Sequence, residues 1–79
     1  MTIYLKAGGQ LRNLIRPDVD RYTRRVVAEN GKTVEEILRA LAIDPAYVAF
    51  IYADGRIRDF SFTPVDGQTI TLQPPVSGG

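Results

Sequence analysis

Seventy-nine residues, 44% of them hydrophobic and 24% charged, fit one small folded domain and leave no room for a second. The chain has no cysteine and no histidine, which excludes disulfides, thiolate nucleophiles, cysteine-held metal sites and the usual general base of neutral pH. A domain this short buries only about 60% of its unfolded surface, so little core is left for an internal active-site cavity, and the net charge of +1 gives no overall field that would draw in nucleic acid or a membrane.

Met1–Lys6 alternates, with Ile3 and Leu5 on one face and Thr2, Tyr4 and Lys6 on the other, which predicts a half-buried strand ended by Ala7-Gly8-Gly9. Gln10–Asp20 reads as irregular because of Pro17 and two aspartates, although Leu11, Leu14 and Ile15 need shelter. Tyr22–Ala28 reads as a second strand, closed by the turn pair Asn30-Gly31.

Thr33–Ile43 carries the clearest helical signal. Thr33 and Glu36 form a T-x-x-E capping box, and Val34, Ile37, Leu38 and Leu41 make one apolar stripe. Glu35 and Arg39 pair on the wet side, and Asp44-Pro45 is expected to stop the helix. Tyr47–Ala53 is a strongly apolar strand, in which Phe50 shares a face with Val48 and Tyr52. Asp54-Gly55 turns it back through Ile57 and Phe60. After a second turn at Asp66-Gly67, Gln68–Gln73 alternates with Ile70 and Leu72 inward. The order is β-β-α-β-β-β: an α+β roll in which one helix covers a mixed sheet of about five strands.

The domain is read as residues 1–73, followed by a flexible tail, 74–79. Pro74 and Pro75 cannot donate to a ladder, so they stop the last strand and stiffen the exit. Gly78 and Gly79 have no Cβ, which suits threading into a narrow channel. A main-chain carboxylate at Gly79 is ionised at neutral pH and unreactive. Conversion to an acyl adenylate or acyl phosphate in another protein's active site would make it an electrophile.

The order of elements, Gly31-Lys32-Thr33-Val34-Glu35-Glu36-Ile37-Leu38, Asp66-Gly67-Gln68-Thr69-Ile70-Thr71-Leu72 and the ending Pro74-Pro75-Val76-Ser77-Gly78-Gly79 together resemble the ubiquitin-like sulfur carriers of the ThiS/MoaD type. The length and ending are closer to the molybdopterin branch than to the thiamine branch. The resemblance spans essentially the whole chain and implies a β-grasp fold. It also implies that an E1-like enzyme adenylates Gly79 with ATP and that a sulfur donor, such as a cysteine desulfurase or rhodanese, makes the thiocarboxylate. A synthase large subunit then accepts the tail, with Pro74, Pro75, Val76, Ser77 and Gly78 threading. On this reading the chain is a cytoplasmic cosubstrate that binds no cofactor and is monomeric when free. Gln73 and Gln68 depart from the usual pattern, which bears on partner choice and leaves the reactive terminus untouched.

Lesser signals are weighed beside it. Arg12, Arg16, Arg21, Arg24 and Arg25 are interleaved with Asp18, Asp20 and Glu29, the pattern of a solvated mixed-charge edge. Phe50, Tyr52 and Phe60 form a candidate docking patch, since one helix cannot cover every aromatic. Asp54, Asp59 and Asp66 are turn or loop residues without the pairing of an acid/base site, and Gly8-Gly9 lacks the lysine and helix of a phosphate loop. Two other readings stay open. One is a ubiquitin-like modifier joined to lysines through Gly79; the other is a non-covalent β-grasp binding module, with RNA on the Arg21–Arg25 stretch as its test case.

Overall fold

The computed structural model describes residues 1–75. Strict alternation builds β1 (Thr2–Ala7), whose Ile3, Leu5 and Ala7 are buried. Against it lie β2 (Thr23–Val27), antiparallel, and β5 (Thr69–Gln73), parallel. With β3 (Phe50–Ala53) and β4 (Arg56–Arg58) they form a five-stranded sheet in the order β2-β1-β5-β3-β4. The first and last strands therefore sit side by side inside the sheet, linked by pairs such as Leu5–Ile70. Asp54 and Gly55, at φ +54° and +75°, supply the two left-handed positions of a type I′ hairpin and set Ala53 opposite Arg56. This is a mixed α+β ubiquitin-like β-grasp.

Two helices cover one face. The helix α2 (Val34–Ala40) starts at the expected capping box. The Thr33 N–H donates to Glu36 Oε1 at 3.0 Å, and the Glu36 N–H donates back to Thr33 Oγ1 at 3.2 Å. Val34, Ile37 and Leu38 enter a single core with Ile3, Leu5, Val26, Ile51, Ile70 and Leu72. Glu35–Arg39 and Lys32–Glu36 pair along the exposed side at 4.0 and 3.6 Å.

Four expectations are corrected. Residues 9–15 are helical, not irregular: α1 (Gly9–Ile15) buries Leu11 and Ile15 against β1, and Gly8-Gly9 opens it. A helix therefore does follow that glycine pair, though the lysine of a phosphate loop is still missing. The main helix ends at Ala40, before Asp44-Pro45, because Ala42 swings to φ +60°. The N–H groups of Ala42 and Ile43 then bond back to the Arg39 and Leu38 carbonyls, a Schellman turn that drives Ile43 into the core. Pro45–Tyr47 forms a short 3₁₀ turn capped by Asp44, so the apolar strand begins only at Phe50. Val48 is consequently buried and does not share the Phe50 face. Finally, Phe60 lies beyond the short return strand, which ends at Arg58.

Candidate functional site

The end of β5 organises the site. Gln73 makes its last ladder contact when its carbonyl accepts the Ala49 N–H at 2.9 Å. Pro74 and Pro75 follow outside the sheet, half-buried and exposed respectively. Val76, Ser77, Gly78 and Gly79, the other expected threading residues and the expected acyl carrier, lie outside the described residues. Pro74 forms part of two grooves. One, of about 410 Å³, is shared with Lys6, Gly8, Gly9, Tyr22 and Leu72. The other, of about 280 Å³, is shared with Leu14, Tyr47 and Pro75.

The sheet face opposite the helices runs beside this exit. Pairing places Thr23, Lys6, Thr71, Tyr52 and Ile57 in one row across all five strands, with Phe50 beside Gln73 in the next. Phe50 is 48% exposed and Ile57 60%, while Tyr52 is half-buried. The structure thus brings Phe50 and Tyr52 together at the exit and sets Phe60 apart. Phe60 packs on the core by the start of α2, where its carbonyl accepts the Glu35 N–H at 3.0 Å. The sequence reading overlooked Ile57 as a member of the patch. The signal was available: a two-residue turn at Asp54-Gly55 forces position 57 to face position 52.

Two of the five arginines are committed locally. Arg24 donates to the Ile15 carbonyl at 3.1 Å, and the Arg12 guanidinium stacks 5.7 Å from the Tyr22 ring centre. Asp18 and Asp20 spend their carboxylates on backbone, accepting the Arg25 and Tyr22 N–H groups, each at 2.8 Å. Hydrogen bonds from Tyr22 and Thr23, with Lys6 nearby, hold Asp20 below its ordinary pKa. Asp59 is lowered by Ser61, through its hydroxyl first and then its backbone N–H. Asp54 accepts from the Gln68 side chain, and Asp66 accepts the Thr2 N–H. Each of these carboxylates thus has a structural partner, as does Asp44, which accepts the Ala46 N–H at 2.9 Å, and none is paired as an acid/base couple. Among the described residues no cluster of metal-ligating side chains forms, and no helix is long and apolar enough to cross a membrane.

A β-grasp sheet that releases its central C-terminal strand through two prolines, beside a half-apolar face, is the architecture of a ubiquitin-like protein. Across residues 1–77 the chain matches the family described as Mut7-C ubiquitin, and it belongs to that family. It is similar to SAMP1 from Haloferax volcanii, with a TM-score of 0.73 and 22% identity over 100% of both chains. It is also similar to a chain in the protein–protein complex of subunits 1 and 2 of Molybdopterin-converting factor from Helicobacter pylori 26695. There the TM-score is 0.60 and the identity 23%, again over 100% of both chains. At such identities the likeness is one of fold. None of the curated proteins matches the chain.

Proposed function

We propose that this protein acts as a ubiquitin-like modifier whose Gly79 acyl group is activated by a partner enzyme and joined to an amine of another protein. Membership of a family described as a ubiquitin supports this reading. The observation that carries it is the exit of β5: the strand delivers Pro74 to the rim of the sheet between two grooves, directly after Gln73, which pairs with Phe50. An E1-like enzyme using ATP is the expected activator, and the residues after Pro75 are the segment it would thread. The chain supplies the acyl group and the docking face; the partner supplies the catalysis.

The sulfur-carrier reading is kept as the second, on the fold shared with a chain of the molybdopterin-converting complex. It uses the same activated intermediate, with a sulfide equivalent in place of an amine. The sequence pattern then favours a molybdopterin-type acceptor over a thiamine-type one. The intact mass of the chain from its own organism, with peptide mapping, separates the two. Gly79-linked branches on lysines of other proteins support the modifier. A chain heavier by the exchange of one oxygen for sulfur at Gly79 replaces it with the carrier. If deletion of Gly78-Gly79 leaves the cellular role intact, both fail and a non-covalent module stands.

A further inference from the structure

Only three amines on this chain can take an acyl group: Met1, Lys6 and Lys32. They are not equivalent. The Met1 ammonium donates to the Ala28 carbonyl at 2.7 Å and is partly buried. Lys32 is paired with Glu36 at 3.6 Å, so an incoming carbonyl must displace a carboxylate to reach it. Lys6 is exposed; Asp20 is near enough to feel its charge, but among the described residues no carboxylate lies within ion-pair distance of it. It stands in the middle row of the sheet face that no helix covers, flanked by the small side chains of Thr23 and Thr71.

A second observation meets it there. Lys6 lines the larger groove at the exit of β5, whose other walls include Gly8, Gly9, Tyr22 and Leu72. The space beside both glycines is open: a Cβ on either would meet nothing within 4 Å. A slot with glycine on one wall and a lysine among its lining residues suits a slim, extended peptide end. The four residues after Pro75 span up to about 14 Å when extended, enough to enter such a groove from a neighbouring molecule.

We propose that Lys6 is the acceptor through which this protein joins to itself, taking the Gly79 acyl group of a second copy whose last residues lie in the groove. This rests on the reading of Gly79 as an activated acyl group. In the step, the Lys6 Nζ lone pair attacks the Gly79 carbonyl carbon and the C–N bond forms. The bond to the activating group breaks, and that group leaves with the electron pair; the amine proton goes to solvent. The second copy is the occupant because β5 runs parallel to β1 and carries each chain's own Pro74 three residues beyond Thr71, the partner of its own Lys6.

The test uses the full chain prepared with Gly79 as the thioester of a small thiol, incubated alone at mildly alkaline pH. That activation needs no partner enzyme. The product expected is a conjugate of twice the chain mass with a branched peptide joining Gly79 to Lys6. Lys6→Arg, which keeps the charge, should lose it, while Lys32→Arg should retain it. Branches on Lys32 or Met1, an even spread over the three amines, or a monomer cyclised on its own Lys6 would each overturn the proposal. Failure of the modifier reading is seen elsewhere, in native protein that carries no Gly79-linked branch on any partner, so the two failures are told apart.

Discussion

Ile51 and Ile70 expose none of their surface, and they face each other's strands from the middle of the sheet. Truncating either to alanine removes buried methyl groups from a close-packed interior. Ile51→Ala or Ile70→Ala should therefore cost about 2–5 kcal/mol in urea denaturation. Thr33 acts through hydrogen bonds and not through packing. Thr33→Ala removes the hydroxyl half of the capping box, leaving the backbone N–H of position 33 to donate to Glu36, and should cost about 1 kcal/mol. The same bonds, first from the Thr33 N–H and then from its hydroxyl, hold Glu36 below its ordinary pKa. A carboxylate depressed in the folded state stabilises above its unfolded pKa and loses that contribution as pH falls through the folded one. Stability should therefore decline as pH drops below the ordinary carboxylate range, about pH 4. Asp20 and Asp59 contribute in the same direction. Thr33→Ala loses the hydroxyl's share of this effect and keeps the larger share from the backbone N–H, so its acid slope should be only slightly shallower, which a series of thermal melts between pH 2 and about 6 would check.

At the scale of elements, helix ends account for most of what sequence reading missed. The beginning of α2 was legible because Thr33 and Glu36 have a chemical reason to be three residues apart. Its end was not, because a Schellman turn ordinarily announces itself with glycine and here the left-handed residue is Ala42. That substitution carries strain, since a Cβ disfavours positive φ by about 1–2 kcal/mol. Ala42→Gly should relieve it and, after glycine's entropic cost, raise stability by up to about 1 kcal/mol. A loss of stability in chemical denaturation would show that the turn is held by Ile43 burial alone. The helix α1 was missed for a related reason. It has no side-chain cap, and its opening glycines read as a turn. Yet Leu11, Leu14 and Ile15 stand at i, i+3 and i+4, the spacing of one helical face. The strands were read correctly wherever side chains alternate. The Tyr52–Ile57 pairing at the candidate site was partly visible, through the two-residue turn between β3 and β4. Phe60 was misplaced because a strand was carried past Arg58, where pairing stops.

For the whole molecule, the sheet order is decisive. β5 lies between β1 and β3 and makes more of the fold than a terminal element ordinarily would. Removing residues 69–79 leaves Leu5 and Ile51 without their partner strand and should abolish cooperative unfolding. Removing only Gly78-Gly79 should change stability by less than about 0.5 kcal/mol, as for a surface change away from the core. Circular dichroism on the two truncations checks both outcomes, and a destabilised short truncation would argue against the division at Gln73.

The central place of β5 also determines when the end of the chain can be used. The pairs that hold this strand join it to β1, made at the other end of synthesis, and to β3. Until it docks, the middle of the sheet is empty and the grooves beside Pro74 each lack a wall. The strand that closes the core is the one that leads into Pro74 and Pro75. A chain that is half-made, misfolded or clipped before residue 73 cannot present Pro74 in its native setting. On the proposed reading, an activating enzyme that docks on the sheet face would thereby proofread, working only on molecules whose folding is finished.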